Sequence, residues 1–71
     1  MKIDDKIASE LFRQYGKRLY NMALRITLSS YEAEEIMQDT LIRFLTGGSR
    51  PDDVWAWLRR MCINNYIYKL Y

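Results

Sequence analysis

The 71-residue sequence predicts an all-α protein, a compact three-helix bundle with helices over about 5–28, 30–46 and 52–70. Three observations carry this expectation. Apolar residues recur at alternating steps of three and four along the first two segments. A capping residue at Ser29 and a glycine pair at Gly47-Gly48 bound the middle one. Pro51, followed by Asp52 and Asp53, then opens a third.

In the first segment Ile7, Leu11, Phe12, Tyr15, Leu19, Met22, Ala23 and Ile26 form one apolar stripe. Gly16 interrupts it at roughly 1 kcal/mol relative to alanine, a cost that is either tolerated or spent on close packing. In the second segment Ser29 and Glu32 make a capping-box pattern. Ala33, Ile36, Met37, Thr40, Leu41 and Phe44 then face inward, and glycine at 47–48 suits a left-handed exit turn. Opposite that stripe lie Glu35, Gln38, Asp39 and Ile42; an isoleucine among acids is either an ordinary exposed side chain or an anchor for a partner helix.

The third segment places Pro51 in the first turn and Val54, Trp57, Leu58, Met61 and Asn65 along an inward line. Trp55, Ile63, Tyr66, Ile67, Tyr68, Leu70 and Tyr71 spread apolar surface around the rest of the cylinder, interleaved with Arg59, Arg60, Asn64 and Lys69. Two explanations fit this surplus. Rings stack on unpaired bases while guanidiniums hold phosphates and amides read base edges. Alternatively, a further segment of a longer protein covers these residues, and the uncapped end at Lys-Leu-Tyr reads as a fragment.

Composition narrows the function classes. With 49% apolar and 28% charged residues the chain is foldable as one domain spanning 1–71. A domain of this size buries only roughly 60% of its unfolded surface, leaving little room for a layered catalytic cleft. There is no histidine and one cysteine, Cys62, which excludes Ser-His and Cys-His nucleophile pairs and an internal disulfide. No catalytic residue, metal or cofactor is expected, and binding is the default function. The opening Met-Lys-Ile-Asp-Asp-Lys is unlike a signal peptide, and no apolar run approaches the ~20 residues of a membrane span. A cytoplasmic protein without membrane insertion is expected. The net charge is +2, but it is segregated: Arg13, Lys17, Arg18 and Arg25 form one basic run. Glu32, Glu34, Glu35 and Asp39 form an acidic one, and Arg59, Arg60 and Lys69 a second basic one.

The run Ser-Tyr-Glu-Ala-Glu-Glu-Ile-Met-Gln-Asp-Thr-Leu-Ile-Arg, 30–43, resembles the second helix of sigma factor region 2 in its extracytoplasmic-function (ECF) branch. Leu-Tyr-Asn-Met-Ala-Leu-Arg-Ile-Thr, 19–27, is similar to the end of that domain's first helix. Trp-Leu-Arg-Arg-Met-Cys-Ile-Asn, 57–64, is similar to the family's Trp-Leu-x-Arg-Ile-Ala-x-Asn. The resemblance implies a bacterial transcription initiation factor domain. Such a domain docks on the clamp-helix coiled coil of the largest subunit of core RNA polymerase and recognises and melts the promoter −10 element through the non-template strand. Carried over by position, Glu35, Gln38, Asp39 and Ile42 would face the polymerase. Asn64 would lie near the captured base, with Arg25, Arg43, Arg59, Arg60 and Lys69 toward DNA. An anti-sigma factor is a further expected partner.

Two departures stand out. Tyr68 occupies a position where many relatives have aspartate, and the 46–53 connection is short and lacks an aromatic. Region 4, which reads the −35 element, is absent from this chain. Two other functions fit the residues: a helical interaction module or decoy that binds polymerase or an anti-sigma factor without touching DNA, and a small helical binder of duplex DNA.

Overall fold

Turn chemistry divides the chain into three helical rods, as the periodicity predicts. The computed structural model describes the backbone of residues 5–47 and 51–70 and the side chains of residues 6–47 and 51–68. The first rod comprises α1 (Asp5–Leu11), a π-helical turn (Phe12–Gly16) and α2 (Lys17–Thr27). Leu11 and Lys17 on either side of the π turn keep right-handed helical angles, so the rod is continuous. A π turn inserts extra residues per turn and rotates the face that follows. Leu19 and Ala23 in α2 are fully buried, whereas Ile7 in α1, expected in the same stripe, is 56% exposed. A Cβ on buried Gly16 would lie 3.8 Å from Phe12 Cδ1 and 3.9 Å from Met37 Sδ, ordinary contacts that leave room for alanine.

The rod ends at Thr27, one residue before the expected boundary, because Leu28 turns left-handed (φ 57°, ψ 26°) and its N–H donates to Leu24 O at 2.8 Å. Glycine usually fills such a position, since a Cβ there costs roughly 1–2 kcal/mol. Helix α3 (Ser30–Thr46) starts where the capping pattern predicts, with Ser29 Oγ accepting from the Glu32 N–H at 3.3 Å. Ser29's own N–H donates to Thr27 Oγ1 at 3.3 Å.

Two expectations about the α3–α4 connection need correction. Gly47 is right-handed (φ −77°); its N–H donates to Arg43 O, and an added Cβ would come within 2.8 Å of that oxygen. Glycine is needed there for close backbone approach, while Gly48 lies outside the described residues. Pro51 is not in the first turn. Helix α4 (Val54–Leu70) is capped by Asp53, whose Oδ1 accepts from the Ala56 N–H at 3.0 Å and whose carbonyl accepts from the Trp57 N–H at 3.2 Å.

The three rods meet around Leu19, Ala23, Ala33, Ile36, Leu41, Leu58 and Cys62, all at most 1% exposed. Cys62 joins this core beside Leu58 and Asn65, while Val54, Trp57 and Met61 of the expected inward line are half-buried. Phe44 and Trp57 meet edge to face at 5.2 Å. Among the described residues Thr40 of α3 and Asn65 of α4 are the buried polar ones, and Asn65 Nδ2 donates to Thr40 Oγ1 at 3.0 Å. Among the described residues no buried side-chain polar atom lacks a partner.

Thr40→Val strands the Asn65 amide and should cost about 1–3 kcal/mol in urea unfolding. Adding Asn65→Leu should recover part of that loss, a coupling that a double-mutant cycle measures. Burial pushes the Cys62 thiol from 9.0 up to about 11. The unfolded thiol therefore ionises first, so its contribution to stability is intact below pH 9 and falls as the pH rises toward 11. Urea midpoints across that window should fall more steeply for the wild type than for Cys62→Ala.

Candidate functional site

Helices α3 and α4 present two recesses of different chemistry. The first, about 290 Å³, lies on the α3–α4 seam and is lined by Glu35, Ile36, Asp39, Arg43, Asn65 and Tyr68. Its α3 members follow from helical spacing: residues three and four apart share a face. Asp39 Oδ2 accepts from Arg43 Nε at 2.9 Å, a half-exposed pair. Such a pair is worth roughly 0.3–0.5 kcal/mol, so it opens at little cost. Beside the recess Gln38 Nε2 donates to Glu34 Oε1 at 3.3 Å, and Ile42 is 46% exposed.

The second recess, about 240 Å³, is formed by α4 alone and is lined by Ala56, Arg59, Arg60, Ile63 and Asn64. Its geometry is set from inside. Because Asn65 points into the core to reach Thr40, its neighbour Asn64 is turned outward, one turn beyond exposed Arg60. Among the described residues neither Arg59 nor Arg60 is ion-paired to a carboxylate. An amide, two guanidiniums and an apolar side chain converge there, the donor set that suits an anionic strand with one readable base.

The structure sorts the sequence candidates accordingly. Glu35, Gln38, Asp39 and Ile42 lie together on the outer face of α3. Arg59, Arg60 and Asn64 are brought together on α4. Arg43 stands apart from them, in the acidic recess. Arg25 is exposed in the last turn of α2 and lines neither recess. The Lys69 side chain lies outside the described residues. Sequence reasoning did not place Tyr68 or Asn65 at the acidic recess; their spacing of three on α4 was the available signal.

Among the described residues no three His, Cys, Asp or Glu side chains group as a metal site, and no helix is long and apolar enough to cross a membrane.

Residues 11–70 match the family model described as sigma-70 region 2. The chain is also 32% identical over 60 residues to a curated protein from Mycolicibacterium smegmatis (strain ATCC 700084 / mc(2)155), "ECF RNA polymerase sigma factor SigE". That match covers 82% of this chain but 23% of the relative, so the chain spans about a quarter of that protein's length. No solved structure matches the chain significantly. The family match takes in all of α2 and α3 and all of α4, both recesses included, and the chain belongs to the sigma-70 region 2 family.

Proposed function

We propose that this domain docks on bacterial core RNA polymerase through the outer face of α3 and holds the non-template strand of the promoter −10 element on α4. The observation that carries this reading is the division of chemistry between two faces of one small frame. Acids and an exposed isoleucine lie on α3, and on α4 lie an outward amide and guanidiniums that pair with no carboxylate among the described residues. The polymerase surface that fits Glu35, Gln38, Asp39 and Ile42 is basic with an apolar spot, and a helical coiled coil on the largest subunit supplies that geometry.

Opening a base step costs a few kcal/mol, and capture of an extruded base repays part of it. Asn64 is the base-reading candidate, with Arg59 and Arg60 holding adjacent phosphates and Arg25 and Lys69 as further backbone contacts. Arg43 then belongs to the polymerase side, as the internal counter-ion that a polymerase cation displaces from Asp39. With a net charge of +2 the free domain binds DNA weakly, and polymerase provides most of the affinity. The domain acts in the cytoplasm without catalysis or cofactor, and an anti-sigma factor would compete for the α3 face.

Two variants separate this reading from its competitors. Asp39→Arg should abolish binding of the labelled domain to core polymerase while its helical circular dichroism is unchanged. Asn64→Ala should keep polymerase binding and lose about tenfold in capture of a single-stranded −10 oligonucleotide by the assembled complex. A decoy would lose nothing with Asn64→Ala. A duplex binder would bind double-stranded DNA tightly without polymerase, and either result would contradict the proposal.

A further inference from the structure

One cation on α2 is held in a way that neither recess explains. Arg18, exposed in the first turn of α2, places its guanidinium carbon 4.0 Å from the centroid of the Trp55 ring, in the first turn of α4. Tyr15 stacks on the same indole, with ring centroids 6.4 Å apart and planes inclined by 11°. Contact with a ring face leaves the guanidinium's N–H donors free. Among the described residues no carboxylate pairs with Arg18, and the chain from Arg13 to Arg25 contains no acid to supply one.

The placement of Trp55 gives this cation a direction. Arg59 lies four residues beyond Trp55 on α4, so the two share a face, and Arg59 lines the recess with Arg60, turned about 100° from it, and Asn64 one turn beyond Arg60. Arg18, Trp55 and the recess therefore form one basic track from the first turn of α2 that winds along and round α4. From Trp55 to Asn64 that track rises nine residues, roughly 13 Å at 1.5 Å per residue, while 3.6 residues per turn carry it about half a turn round the helix. A strand advancing ~3.4 Å per nucleotide needs about four nucleotides for the rise alone and further ones to follow the half turn.

We propose that Arg18, pre-positioned by the Trp55 ring, binds a backbone phosphate of the same DNA strand, several nucleotides from the base at Asn64. This rests on the strand-capture reading above and extends it by one contact on a different helix. Arg18 is the binding residue; Trp55 is a positioning residue that fixes the guanidinium before the strand arrives. The contact is independent of base identity, because only a phosphate is bound.

The test uses the whole chain assembled with core polymerase and a fluorescent single-stranded −10 oligonucleotide, titrated at several salt concentrations. Arg18→Gln should weaken binding by ~3–10-fold whatever the base sequence and lower the salt slope by about 0.7. Trp55→Leu should move affinity the same way, and Trp55→Phe should restore most of it. Replacing successive phosphates by neutral methylphosphonates should give one position, several nucleotides from the captured base, at which Arg18→Gln has no further effect. Asn64→Ala serves as the reference. If it weakens capture while Arg18→Gln changes neither affinity nor slope, the Arg18 contact is overturned and the strand-capture reading stands. If neither variant has an effect, both fail together. Loss of polymerase binding by Arg18→Gln would assign the cation to the protein partner and overturn the proposal.

Discussion

The buried hydrogen bond between Asn65 and Thr40 is the constraint on which the two-faced arrangement depends. Helix α4 carries apolar residues all round its cylinder, from Trp55 and Trp57 to Ile63, Tyr66 and Ile67, so hydrophobic burial alone defines its rotation poorly. A polar pair that must be satisfied in the core selects one rotation, since turning α4 away leaves the buried Thr40 hydroxyl without its partner at a cost of about 1–3 kcal/mol. With Asn65 locked inward, Asn64 and Arg60 are outward and Tyr68 borders the acidic recess. One interior contact thus sets the position of both candidate surfaces.

The rest of the frame supports that pin with local chemistry. Ser29 and Asp53 cap the two later helices, and Gly47 lets the backbone fold back on the Arg43 carbonyl. Leu28 is the exception to local preference. It holds a left-handed turn while 85% exposed, so the tight α2–α3 connection is kept without a compensating buried contact from that residue. Aromatic contacts tie the start of α4 to its neighbours, through Tyr15 and Arg18 on one side and Phe44 on the other.

How much of this is legible from sequence depends on whether the signal is local. The α3 boundaries and its inward stripe follow from a capping pair and clean 3.6-residue periodicity, and the structure reproduces them at Ser30–Thr46. The outward placement of Glu35, Gln38 and Ile42 follows from the same period. The start of α4 is less legible, because proline and aspartate both favour a first turn and only the side-chain bond from Asp53 decides between them. The π turn leaves no composition signal, so the exposure of Ile7 could not be read from its spacing. Burial of Cys62 and the Arg18–Trp55 contact depend on how separate helices meet, which a single helix's pattern does not contain. Arg43 looks like a DNA-side cation in sequence and sits with the acids because Asp39 lies four residues before it.

The central claim is that α3 meets protein while the outer face of α4 meets DNA. Site-specific photocrosslinking reads this directly, with a photoreactive side chain at Ile42 or at Ile63 in the complex of the whole chain, core polymerase and an opened promoter. The Ile42 probe should crosslink to the largest polymerase subunit and the Ile63 probe to the non-template strand. Crosslinking of both probes to protein alone, or the reverse pattern, would contradict the account.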